Sequence, residues 1–164
     1  MYWLPSAKAL ALLITANLLP WALGRLSHGR WGAPLDFGLE LWDGRRLLGD
    51  HKTWRGLGAA IVGCALVATG LRLPWWLGVQ FGALSMLGDC LSSAWKRRRG
   101  HTPGRETFGI DQLPEALLPL IVLRQPLGLG WVQIVVAGTI FAVLDVLSMR
   151  VRHPSRSPAA RAHQ

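Results

Sequence analysis

The stretch "LPWWLGVQFGALSMLGDCLSSAWKRRRG", Leu73 to Gly100, runs apolar for about fifteen residues and then turns polar and strongly basic. If the helix that the apolar half calls for continues, Asp89, Ser92, Ser93 and Lys96 fall at i, i+3, i+4 and i+7 and share one face. An apolar helix carrying a carboxylate, two hydroxyls and an ammonium at one end is unusual in a soluble domain. It fits a membrane helix whose inner end forms part of a site.

Composition agrees. The chain has 164 residues, one domain by length, and is 51% hydrophobic with 19 Gly and 9 Trp. Charged residues make up 16%, against about a quarter in an average soluble domain. Mean hydropathy is +0.28. A net charge of +9 invites a nucleic-acid reading, but that reading wants solvated basic surface with aromatics for base stacking. Here the Trp residues lie in or beside apolar runs, as interfacial anchors do, so no nucleic-acid partner is expected. Cys64 and Cys90 fit neither a disulfide framework nor a metal motif and read as free thiols. The first apolar run has only Lys8 as a basic lead and no cleavage pattern after it, so it reads as a span rather than a signal peptide.

A bilayer core of about 30 Å takes roughly 20 helical residues. The expected spans are Trp3 to Leu23, Gly56 to Leu71, Leu73 to Leu87, Leu113 to Leu129 and Trp131 to Met149. The fourth, interrupted by Arg124 and Pro126, is the weakest, and four spans is the competing count. Lys and Arg concentrate in cytoplasmic loops. With the N-terminus outside, five spans place Arg25 to Arg55, Lys96 to Arg105 and the basic tail inside, leaving Lys8, Arg72 and Arg124 outside. The expectation is an all-α polytopic membrane protein of about five transmembrane helices with two charged cytoplasmic loops. Residues 1–152 form one domain, 153–164 a disordered basic tail, and the N-terminus faces outward from the cell (inner) membrane.

The acids gather on the same inner face, with Asp145 alone in the last span. Charge sorting does not demand that of acids. In "LGDHKTWRG", Leu48 to Gly56, a phosphate loop fails because Asp50 and His51 intervene before Lys52. Lys52, Thr53 and Arg55 nevertheless sit beside glycines where a helix begins, a place that favours anions; His51 reads as a bystander. The bland alternative is a snorkelling basic collar, and for Asp89 an ion pair that stops the helix. In "GIDQLPEALLPL", Asp111 and Glu115 lie one turn apart, with Pro114 tolerable in a first turn. Asp111 alone reads as a cap. Together with Asp89 and Lys96, these acids suffice to bridge Mg²⁺ to phosphate oxygens.

The segments "PLDFG", "DGRRLLGDHKTWRG", "LGDCLSSAWKRRRG" and "DQLPEALLPL", in this order with apolar spans between them, resemble the CDP-archaeol synthase family of membrane cytidylyltransferases, distant relatives of phosphatidate cytidylyltransferase. The resemblance runs from about Pro34 to Leu120 and includes the five-span layout. It implies Mg²⁺-dependent transfer of CMP from CTP to a membrane lipid phosphate, with release of pyrophosphate. It assigns Lys52, Arg55, Lys96, Asp89 and Asp111 to catalysis. It also places Thr53, Ser92 and Arg97 on the catalytic face; with Ser93, Arg98 and Gln112 these are the candidates for substrate contact, and Asp89, Asp111 and Glu115 are the candidates for metal. One departure falls after Asp111-Gln112-Leu113, where the family commonly reads Asp-Phe and this chain reads Pro114-Glu115, making Glu115 the candidate second acid.

Three other classes compete. An enzyme that consumes CDP-lipids is discounted because Asp43-Gly44-Arg45-Arg46 lacks the rest of that class's motif. A transporter would put its polar groups at the midplane rather than one face. A non-catalytic lipid-binding or assembly protein, its charges an interfacial collar, remains the alternative.

Overall fold

A computed structural model describes residues 2–28, 30–99 and 112–152, with backbone alone at 112 and 149–152. Asp111 and the tail 153–164 lie outside the described residues. The elements are α1 (Leu4–Leu26), α2 (Trp54–Gly70), α3 (Trp75–Arg98), α4 (Gln112–Val122), α5 (Arg124–Leu127) and α6 (Trp131–Arg152). Among the described residues there are no strands, only isolated bridges at Pro34–Thr53 and Glu40–Arg46.

Two segments, α1 and Trp131–Ser148 of α6, are long and apolar enough to cross a membrane, while α2 and Leu113–Val122 are apolar but shorter. As anticipated, α3 runs on past Asp89, to Arg98. The expected fourth span is not one helix. It breaks at Leu123 between α4 and α5, and Gly128, at φ +67°, ends α5 in the left-handed conformation.

Apolar side chains cover both the inside and the outside of the bundle. Leu12, Leu13, Leu77, Phe81 and Leu120 are wholly buried, whereas Val62, Leu66, Val135 and Leu147 are more than half exposed. A helix apolar all round suits a membrane. Arginines lie over indole rings near helix ends, Arg25 over Trp21, Arg99 over Trp95 and Arg124 over Trp131, at 5.5, 4.1 and 4.4 Å. Such pairs suit the level where lipid meets water.

Without a hydrophobic drive between helices in lipid, close backbone approach does much of the packing, and small residues permit it. A Cβ on Gly78 would stand 2.2 Å from the Cys64 carbonyl oxygen, and one on Gly82 2.6 Å from that of Ala60. The pattern Gly78-x-x-x-Gly82 therefore seats α3 on α2. Further along α3, a Cβ on Gly88 would stand 2.2 Å from the Pro114 carbonyl oxygen. This contact presses the C-terminal half of α3 onto the first turn of α4.

The chain between α1 and α2 is tied at its ends: Leu35 N–H donates to Lys52 O at 2.7 Å and Trp54 N–H to Ala33 O at 3.1 Å. Asp36 organises its middle. The Asp36 side chain has no exposed surface and accepts from Arg46 Nη2 at 2.8 Å and from the amides of Leu48, Gly49 and Gly38 at 3.0, 3.2 and 3.1 Å. Burial works against its charge, but these donors outweigh burial and hold its pKa well below the usual carboxylate range. Lys52 and Thr53 are thus delivered to the start of α2 by a fixed loop.

Candidate active site

Thr53 is the N-cap of α2, its hydroxyl oxygen accepting from Gly56 N–H at 3.1 Å. Lys52, one residue earlier and outside the helix, reaches across to α3 and ion-pairs with Asp89 Oδ2. Burial opposes the Lys52 charge, and the Asp89 carboxylate more than offsets it, so the Lys52 pKa lies above its ordinary value. The pair does not stop the helix, which continues two further turns.

Glu115 completes this cluster from α4. It is buried and lies within electrostatic reach of Asp89, Lys52 and Asp145. The Gly88–Pro114 approach makes this possible, since Asp89 and Glu115 each follow directly on the residues in contact. The cluster is two acidic side chains on adjacent helices with the Lys52 ammonium paired to one and within electrostatic reach of the other.

Beside it, Ser92 and Ser93 are buried on the next turn of α3. The Ser92 hydroxyl donates back to the Asp89 carbonyl at 2.9 Å. Lys96 is half-buried one turn further on. Arg97 is buried with its guanidinium 3.5 Å from the position a Gly49 Cβ would take. The left-handed φ of +103° at Gly49 and this close approach explain why glycine stands there. Gly44 and Gly49 are turn residues, in keeping with the rejected phosphate loop.

Other expected site residues lie differently. Arg55, read as a phosphate grip beside Lys52, donates instead to Ser27 Oγ at 2.6 Å and to the Arg30 carbonyl oxygen, near the end of α1. The reason is local geometry: Lys52 precedes the cap, while Arg55 is already on the first turn of α2 and faces α1. Arg98 is taken up by Asp43 at 2.6 Å and by the carbonyls of Arg45 and Arg46 at 3.3 and 3.0 Å. Arg45 returns the contact, donating to the Arg97 and Arg98 carbonyl oxygens, each at 3.2 Å, which satisfies otherwise orphaned groups at the end of α3. His51 is exposed. Asp111 and the Gln112 side chain fall outside the described residues.

Asp145 is not alone. Asn17 Nδ2, on α1, lies 3.1 Å from Glu115 Oε1 and 3.4 Å from Asp145 Oδ1. Sequence reading missed Asn17; the signal available was an amide inside an apolar run. It also gave no task to Asp36, present only within "PLDFG".

Among the described residues no three His, Cys, Asp or Glu side chains gather as a metal-binding set. Asp89 and Glu115 nonetheless supply hard carboxylate oxygens from adjacent helices. Mg²⁺ on a nucleotide is commonly held by one or two carboxylates plus substrate phosphates, and the donor chemistry fits that pattern.

Fold and cluster define an all-helical membrane protein with a charged site at one end of its helices. Comparison with known proteins sharpens this. A family model described as CarS-like, CDP-archaeol synthase, matches residues 13–73. The CDP-archaeol synthase of Sulfurisphaera tokodaii is 39% identical over 124 residues, 69% of this chain and 74% of that one. That of Methanopyrus kandleri is 38% identical over 117 residues, 68% of this chain and 66% of the relative. The match to the latter thus spans just under two thirds of its length. A solved intramembrane enzyme for archaeal membrane lipids biosynthesis superposes with a TM-score of 0.66 at 30% identity, covering 84% of this chain and 90% of that one. The chain belongs to the CDP-archaeol synthase family, a family of cytidylyltransferase enzymes.

Proposed function

We propose that the protein transfers CMP from CTP to a membrane lipid phosphate, giving a CDP-lipid and pyrophosphate. The observation that carries this is the Lys52–Asp89 ion pair with buried Glu115 beside it, where the first loop, α3 and α4 meet. Family membership supports the reaction class.

A phosphate oxygen of the lipid attacks the α-phosphorus of CTP, the bond from that phosphorus to the β-bridging oxygen breaks, and pyrophosphate leaves. The attacking phosphate is already anionic, so little general base is needed. The task is to hold two anions in line and offset their charge. Lys52 and Lys96 supply ammonium groups at the site, and Arg97 a guanidinium on the same stretch of α3. Ser92, Ser93, Thr53 and Gln112 stand in the segments that would contact the nucleotide, with Arg55 and Arg98 as flanking cations. Asp89, Glu115 and Asp111 would hold Mg²⁺, which when bound supplies positive charge to the phosphate oxygens. The lipid tails stay among the helices while the phosphate reaches the charged end.

We further read the five expected spans as retained, α4 and α5 together forming the fourth. The N-terminus then lies outside, and the site and C-terminus are cytoplasmic.

The test is direct. Purified protein in lipid nanodiscs with Mg²⁺ and labelled CTP, offered isoprenyl-ether and diacyl lipid phosphates in turn, is expected to yield a labelled lipid with at least one of them. No labelled lipid with any member of the panel would leave the interfacial-collar reading standing.

A further inference from the structure

Glu115 is buried and lies within electrostatic reach of Asp89, so the way its carboxyl group points depends on the donors around it. Lys52 serves Asp89. For Glu115 the donor comes from α1, since the Asn17 amide stands 3.1 Å from Glu115 Oε1. The same nitrogen reaches Asp145 Oδ1 at 3.4 Å, so one NH₂ group faces carboxylates on α4 and α6. Turning the amide over would set its carbonyl oxygen against the Asp145 carboxylate. On α6, Ser148 Oγ lies 2.7 Å from the Asp145 backbone carbonyl oxygen and 3.5 Å from Asp145 Oδ1. A cleft of about 210 Å³ opens beside Asn17, Asp145 and Ser148.

We propose that Asn17 is a positioning residue for the transfer reaction. It holds the Glu115 carboxylate toward the Lys52–Asp89 pair, and Asp145 holds Asn17 from the far side. A neutral amide orients the Glu115 carboxyl group without adding a positive charge beside it, so its oxygens stay available to a cation in the site. Lys or Arg at position 17 would bond the same oxygens and repel that cation. The inference rests on the cytidylyl-transfer reading.

The experiment compares wild type, Asn17→Leu, Asn17→Gln and Asp145→Asn in nanodiscs. It measures kcat, KM for CTP, and Mn²⁺ binding by electron paramagnetic resonance without substrate. Asn17→Leu is expected to lower kcat about tenfold to a hundredfold, the scale of a misplaced catalytic group, and to weaken Mn²⁺ binding with the melting midpoint kept. Asn17→Gln, which keeps the donor, is expected to recover part of both, and Asp145→Asn to cost less than Asn17→Leu. The proposal is overturned if Asn17→Leu matches wild type in kcat and Mn²⁺ binding. Equal impairment of the Leu and Gln variants with a lowered melting midpoint also overturns it, by marking a packing role. If wild type shows no transfer, the function reading falls, and the Mn²⁺ arm alone decides whether Asn17 orders Glu115; wild type that binds no Mn²⁺ overturns the proposal.

Discussion

Lys52 and Asp89 each keep about a fifth of their side-chain surface exposed, 18% and 21%. Removing one partner from a fully buried pair costs about 3–5 kcal/mol, and that residual exposure makes the cost here smaller. The loss of function should exceed the loss of stability, because in the proposed reaction each group also meets a substrate phosphate or its cation. Asp89→Asn is expected to reduce CDP-lipid formation by about a hundredfold or more, the scale of removing one preorganised group, with insertion intact. An initial rate near that of wild type would remove Asp89 from the site. Asp36 is a contrasting case, since it acts on the loop. Its carboxyl is held below the ordinary 3.8, so its stabilising contribution is complete above that value and fades as pH falls through the depressed folded value. Trp fluorescence during acid titration should report loosening of the loop in wild type. Asp36→Asn should show the loosened signal already at neutral pH; identical titrations for both would contradict this.

At the scale of elements, α3 decides the arrangement by packing on α2 at one end and α4 at the other. Gly88→Ala would place a methyl 2.2 Å from the Pro114 carbonyl oxygen, a backbone atom that cannot swing aside. α3 and α4 must then part, carrying Asp89 away from Glu115. Gly58, also helical, has open space where its Cβ would be, and Gly58→Ala is expected to be neutral or to stabilise by up to about 1 kcal/mol. A thermal melt and a transfer rate for each check the contrast; equal effects would count against it.

The elements also show what could be read beforehand. The polar face of α3 follows from helical spacing alone, so Asp89, Ser92, Ser93 and Lys96 were legible. The break at Leu123 was foreshadowed by Arg124 and Pro126. The partner of Asp89 was not, because Lys52 lies 37 residues away and its approach depends on a loop shaped by Asp36 through backbone amides, which no residue pattern encodes. That Arg55 turns toward Ser27 and Arg30 while Lys52 turns toward Asp89 was not legible either, because residues adjacent in sequence diverge once a helix begins between them. Asn17 gains its meaning only where α1, α4 and α6 meet.

At the scale of the molecule, the charges of the loop between α1 and α2 and the acidic side chains of three helices converge on one end of a set of apolar helices. The proposed orientation rests on the Lys and Arg distribution along the sequence. Single cysteines placed near residue 2 and in the segment 41–45, in a background without Cys64 and Cys90, should be labelled by an impermeant maleimide only at residue 2 in intact cells. Labelling of the 41–45 segment instead would invert the topology.

The central claim is that CTP yields its α-phosphorus, not its γ-phosphorus, to a membrane lipid. The most direct measurement supplies nanodisc-embedded protein, Mg²⁺ and a lipid phosphate with CTP labelled at one position or the other. The account predicts label in the lipid fraction from α-labelled CTP only, with γ label recovered as pyrophosphate. Lipid labelled from the γ position, or from neither, would contradict it.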